Sequence, residues 1–298
     1  MDSVQRLEFD TLPSLGSAYR KVPFQRKPGI REGQTIPRIE AIVKGVKPEA
    51  QSIFEYAKIC RFTSDEKHIP SIYPHILASP LHMMLVTHKA FPLKGMGLIH
   101  VRNVITEHRP IDYQETLDLL CFVEGHREAP KGVEFDLHTQ VSSNGEVVWE
   151  GITTVLSRQK GKGQGNKKKE KKTPLPGGDP DCQRSALWKV PADMGRIYAS
   201  VSGDYNPIHL YKWTAKLLGF PRAIIHGMWS FARCVAEVTG DLPERPLTYE
   251  VEFKLPILLP STVLFSSQDE EDKLSFAIHS KDGSKPHLKG RIYSSPKA

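Results

Sequence analysis

Twice along this chain a helix-length apolar stretch is followed by a run of strand-patterned segments, and that order leaves few folds open. The first stretch covers residues 73–90, is apolar on more than one face and reads as a buried central helix, with Pro80 starting or kinking its main part. Strands are predicted after it at 98–105, 116–124, 133–141 and 146–156, the last two joined by Asn144-Gly145, a strong hairpin signal. The second stretch runs from His226 to Val238 and stops at Gly240. Strands follow at 247–255, 262–268, 273–279 and 288–293. One long helix and then consecutive antiparallel strands is an α+β pattern. Shorter helices are predicted at 48–60, from Pro191 through Ala199, and from Pro207 to Leu218 with Gly219 as a left-handed cap. A strand-like patch covers 39–43.

At 298 residues the chain has room for two domains. Residues 1–36 are rich in Pro, Gly and charge and read as a weakly structured arm. Residues 37–157 form the first domain, 158–184 a basic Gly/Lys/Pro-rich linker, and 185–298 the second domain. The tract from 158 to 172 holds eight Lys or Arg and one Glu, an excess equal to the whole formal net charge of +7. The rest of the chain is therefore balanced, and no nucleic-acid partner is expected from a folded basic face. Cys60, Cys121, Cys182 and Cys234 are scattered without a C-x-x-C pair, so neither zinc nor a redox couple is suggested. No apolar run reaches membrane-span length, and neither end carries a clear signal, transit or Ser-Lys-Leu address. Cytoplasmic location is the default expectation.

Chemistry concentrates in Gly203-Asp204-Tyr205-Asn206-Pro207-Ile208-His209, with Ile225-His226-Gly227-Met228 downstream. Asn is a favoured N-cap and Pro a favoured first helical residue, so the chain bends between Asp204 and His209 and can bring both onto one water. A carboxylate with an imidazole is common equipment for acid–base work near neutral pH. The bare pattern also fits a turn followed by a capped helix. His82 reads as a core histidine, and His226 as packing or support. No phosphate-cradling Gly loop, dinucleotide fingerprint or metal cluster is apparent, so no metal or cofactor is expected.

The run from Tyr198 to His209, then Gly219-Phe220 and Ile225-His226-Gly227-Met228, resembles the signature of the MaoC-like, R-specific enoyl-CoA hydratase (hydratase 2) family. The resemblance implies a double hot-dog: two domains, each an antiparallel sheet wrapped around a long helix. Tyr56-Ala57 echoes Tyr198-Ala199, Ser64-Asp65 echoes Gly203-Asp204, and Ile72-Tyr73-Pro74-His75 stands where Ile224-Ile225-His226-Gly227 stands. The first half lacks Asn-Pro-x-His, which implies a non-catalytic half that holds the acyl chain. The implied reaction is reversible addition of water to a trans-2-enoyl thioester to give a (3R)-3-hydroxyacyl thioester, with Asp204 and His209 as joint acid and base. The Gly227 N–H is the chosen oxyanion donor, with Asn206, Tyr205 and Phe253 as substrate-site residues and Lys254 as a solvated lysine or phosphate contact. The substrate is acyl-CoA, or alternatively an acyl-carrier-protein thioester. A non-catalytic acyl-thioester-binding module and a hot-dog thioesterase are the competing readings, and a homodimer is left open.

Overall fold

The computed structural model describes residues 4–16, 27–63, 67–158, 182–242 and 245–295. Most of the expected linker, parts of the N-terminal arm, Ser64-Asp65 and the last three residues lie outside the described residues.

In chain order the elements are β1 (Gln5–Phe9), β2 (Ile39–Val46), α1 (Ala50–Cys60), α2 (Tyr73–Thr87), β3 (Leu98–Glu107), β4 (Leu117–Val123), β5 (Arg127–Ala129), β6 (Gly132–Ser143) and β7 (Glu146–Arg158). Then come β8 (Arg184–Val190), α3 (Met194–Ser202), α4 (Pro207–Leu210), α5 (Lys212–Leu217), α6 (Gly227–Val238), β9 (Leu247–Phe253), β10 (Ser261–Glu270), β11 (Lys273–Ser280) and β12 (Pro286–Ser294). The chain has the antiparallel-dominated sheet and long central helices of a hot-dog α+β fold. Among the described residues, no helix is long and apolar enough to cross a membrane.

Two compact units are present. The first gathers the described residues up to Glu49 and from Ser71 to Arg158. Its strands run in the order β1-β2-β4-β6-β7-β3, with β5 on β6. All these pairs are antiparallel except β1 with β2, so part of the arm expected to be weakly structured is an edge strand. Leu7 and Phe9 alternate with Arg6 and Glu8 there, and the Arg6 guanidinium bonds the Glu40 carboxylate at 2.9 Å. Asn144 and Gly145 both take positive φ, 51° and 82°, as a two-residue hairpin joining β6 and β7 requires. Helix α2 lies on β2, β4 and β6 with Leu77, Ala78, Leu81 and Leu85 buried. Pro80 sits inside it. His82 is a core residue whose Nε2 meets the Thr139 hydroxyl at 2.7 Å.

The second unit holds the described part of Ala50–Pro70 and the residues from Cys182 onward. Its strands run β9-β12-β11-β10-β8, all antiparallel. Helix α6 is its central helix, and the rings of Phe231 and Phe276 stack at 6.2 Å between helix and sheet. Helix α1 packs here, against α3 and α6, because Ile53, Tyr56, Ala57 and Cys60 form one apolar stripe at helical spacing. A helix from the N-terminal part of the sequence thus belongs to the C-terminal unit.

Gly290 on β12 sets how closely that sheet packs. A Cβ there would lie 2.3 Å from the Phe276 ring and 2.5 Å from the Glu250 carbonyl oxygen. Gly290→Ala should therefore destabilise the protein by about 1–3 kcal/mol, an overpacking cost read as a lower denaturant midpoint at unchanged slope. An unchanged midpoint would show that the sheet yields freely.

Candidate active site

The residues from Tyr198 to Gly227 build the site. Helix α3 ends at Gly203, which takes φ 69°, the left-handed value that closes a helix by its N–H to the Ala199 carbonyl. Asp204 follows at the turn. Its N–H donates to the Ser202 hydroxyl at 3.2 Å, and its Oδ1 accepts from the Asn206 N–H at 3.1 Å. Asn206 caps α4 as its sequence predicts, its side-chain oxygen accepting from the Ile208 N–H at 3.3 Å, and Pro207 opens the helix. The predicted helix from Pro207 to Leu218 is in fact two: it breaks at Tyr211, which is extended at φ −140°. Gly219 has φ 89°, as expected of a left-handed cap.

His209 sits in the single turn of α4 and is buried. Its Nδ1 lies 2.8 Å from the Ile224 carbonyl oxygen. A carbonyl can only accept, so Nδ1 carries the proton and Nε2 presents a lone pair. Burial lowers the pKa of His209, partly offset by Asp204 and by the Ile224 bond, so the ring is a neutral base near pH 7. Ile224 is itself fixed, its N–H bonded to the Ile208 carbonyl at 3.1 Å and its backbone bridged to Leu258. Gly195 on α3 permits the close approach of α4, because a Cβ there would fall 2.0 Å from the His209 carbonyl oxygen.

His226, read from the sequence as packing or support, lies against both candidate residues. Its ring stacks on that of His209, centroids 3.7 Å apart. Its Nε2 donates to the main-chain carbonyl of Asp204 at 2.9 Å and lies 3.8 Å from that residue's Oδ2. One imidazole therefore holds both members of the couple, His209 by its face and Asp204 by its backbone. Burial first, and the neighbouring His209 second, push its pKa down to about 3, so it is neutral at any ordinary pH. Behind it the Tyr198 ring lies 4.9 Å away, and Tyr56 of α1 lies 6.2 Å beyond that, both fully buried. The spacing of Tyr56-Ala57 and Tyr198-Ala199 hinted at this only as a repeat; that the two tyrosines touch was not readable.

The other expected site residues are less uniformly placed. Gly227 is the first residue of α6, where an N–H has no intrahelical partner and the helix dipole favours negative charge. It also packs tightly: a Cβ would meet the Phe253 ring at 2.9 Å. Phe253 is thus half-buried against the helix tip. The Tyr205 side chain is 50% exposed on the loop. Lys254 pairs with Glu252, which also takes Lys289 at 3.3 Å. Asp204, His209 and His226 offer three potential ligand atoms within 4.8 Å of one another, a grouping the sequence did not suggest. The two imidazole planes of this group are stacked at 28° rather than converging on one point.

Known proteins share this arrangement of chain. The 3-hydroxyacyl-thioester dehydratase X of Mycobacterium tuberculosis is 31% identical over 267 residues, 89% of this chain and 92% of that protein. The chain belongs to the MaoC-like, hydratase 2 family. The family described as MaoC like domain matches residues 167–290, the half that carries Asp204 and His209. The crystal structure of HtdX from M. tuberculosis superposes with a TM-score of 0.74 at 29% identity, covering 86% of this chain and all of that one. A MaoC-like dehydratase from Phytophthora capsici, 19% identical, shares the fold with a TM-score of 0.68 over 89% of this chain and 98% of its own. A stretch of 75 residues is 40% identical to part of fatty acid synthase subunit beta from Schizosaccharomyces pombe, only 4% of that protein.

The buried histidines link stability to pH. From the usual imidazole value of 6.5 down to about 3, the unfolded chain binds a proton that folded His226 refuses. The unfolded state therefore gains protons as pH falls, and stability drops through that window by up to about 1.4 kcal/mol per pH unit for one such group. His226→Phe should remove one proton's worth of this slope between pH 6 and pH 4 in denaturant titrations. An identical slope would mean that His226 is charged in the fold.

Proposed function

We propose that this protein catalyses reversible hydration of trans-2-enoyl thioesters, equivalently dehydration of (3R)-3-hydroxyacyl thioesters, with acyl-CoA as substrate and fatty-acid metabolism as setting. The observation that carries the reading is the tautomer of His209. Nδ1–H is committed to Ile224, and the polar atoms of His209 and Asp204 lie within 4.8 Å of each other, close enough for the free Nε2 and the carboxylate to share one water. His209 Nε2 takes a proton from that water, assisted by Asp204, while the oxygen forms a bond to C3. The π pair of the C2–C3 bond moves toward C2 and the thioester carbonyl. The Gly227 N–H, at the positive tip of α6, meets the developing charge on the thioester oxygen. The proton held by the couple then passes to C2, leaving His209 neutral again. Dehydration retraces the same steps.

The remaining site residues then each have a task. Asn206 holds the bend, since its cap bond to Ile208 sets where α4 begins. Phe253 packs against the helix tip and lines the approach to Gly227. Tyr205, exposed at the loop, is placed to meet the substrate from outside. Nothing in this scheme requires a cofactor. The relative's name, a 3-hydroxyacyl-thioester dehydratase, supports the substrate class.

The test is hydration of crotonyl-CoA, followed by loss of enoyl absorbance and by chiral analysis of the product. Asp204→Asn and His209→Ala should each lower kcat by about 10²–10⁴-fold, the usual worth of a positioned acid or base. Unchanged rates in both variants would remove the site assignment. Release of free CoA thiol in place of hydration would point to a thioesterase.

A further inference from the structure

The segment that carries His209 continues into a surface that the proposed chemistry leaves unused. In α5, Ala215 faces inward and is buried. Trp213 and Leu217, one helical turn apart, are 64% and 79% exposed and form a ridge. Tyr211 stacks on Trp213 with ring centroids 6.1 Å apart, and Leu218 extends the apolar patch. Cations line it. Lys212 and Lys216, also a turn apart, are exposed and make no ion pair among the described residues. The Arg196 guanidinium lies 5.1 Å from the Tyr211 ring centre, and Arg222 is exposed nearby in sequence. No Asp or Glu occurs between Asp204 and Glu237.

Four occupants are conceivable, and the geometry separates them. A nucleotide would cover one aromatic face and leave Leu217 in water. A membrane surface is met by longer amphipathic helices, whereas α5 is six residues long. A second copy related by two-fold symmetry would set a patch of lysines against the same lysines, which is repulsive. What remains is a protein with an acidic face and a helical groove into which the Trp213–Leu217 ridge can pack. Trp213 lies four residues beyond His209, so the docking ridge and the catalytic turn belong to one short segment of chain.

Resting on the reading of the site as an acyl-thioester hydratase, we infer that α5 and its flanks dock an acidic, helical carrier protein bearing the acyl thioester. The surface selects carrier-linked substrate, while free CoA thioesters reach the same couple without it.

The experiment compares crotonyl-CoA with a crotonyl group on a purified acidic acyl carrier protein, using the full chain, Trp213→Ala/Leu217→Ala and Lys212→Glu/Lys216→Glu. Binding of that carrier is followed in parallel by fluorescence anisotropy. Each double variant should lose at least tenfold in kcat/KM on the carrier-linked substrate and at least tenfold in carrier affinity, with crotonyl-CoA hydration within twofold of wild type. Wild-type affinity should fall as salt rises. Equal loss on both substrates, no loss on either, a change of oligomeric state by light scattering, or binding to anionic vesicles that the variants abolish would each overturn the inference. If the wild type hydrates neither substrate, the hydratase reading fails, and the anisotropy arm still decides the docking surface.

Discussion

The bond from His209 Nδ1 to the Ile224 carbonyl, 2.8 Å long, is the constraint on which the rest of the site depends. It decides which nitrogen is basic and where it points. The acceptor is a fixed point because residues 223–225 are strung between α4 and the 257–259 segment. Ile224 bonds Ile208 at 3.1 Å, Ile225 bonds Ile257 at 3.0 Å, and Leu259 bonds Ala223 at 2.8 Å. An imidazole held this way is preorganised, as the base role proposed for it would require.

Around that fixed ring the site is layered. His226 stacks beneath His209 and ties down the Asp204 backbone. Tyr198 lies behind His226, and Tyr56 behind Tyr198. This layering buries both imidazoles, and burial is why both resist protonation. Tyr56 comes from α1, in the half of the sequence without Asn-Pro-x-His. That half therefore contributes to the site's support through a helix packed on α3, its own counterpart in the repeat.

Much of this was legible in the residues themselves. Asn206-Pro207 announced the bend, Asn144-Gly145 the hairpin and Gly219 the left-handed cap, because each depends on local backbone preferences. The alternation of apolar residues pointed to most strands of both sheets, but not to β5 or to β8, which was read only as the lead-in to the second domain and is a strand because β10 offers it an edge. Features fixed by distant contacts were not legible. Strand β1 is short and charged, and it is a strand because β2 offers it an edge. The break at Tyr211 follows from no local breaker residue; the Thr214 hydroxyl, inside the new helix, ties it back to the preceding turn by donating to the Pro207 and Tyr211 carbonyls at 2.6 Å and 2.8 Å. The residence of α1 with the second unit, and the use of His226 as a double support, are tertiary facts with no signature in spacing.

If one anchored couple handles both the hydroxyl and the proton, both must reach the substrate from the same face. Hydration of a trans-2-enoyl-CoA in D₂O, with the relative configuration at C2 and C3 read by NMR, tests this most directly. Syn addition giving a single (3R) diastereomer is the predicted result. Anti addition, which needs acid and base on opposite faces, would contradict the account of Asp204 and His209.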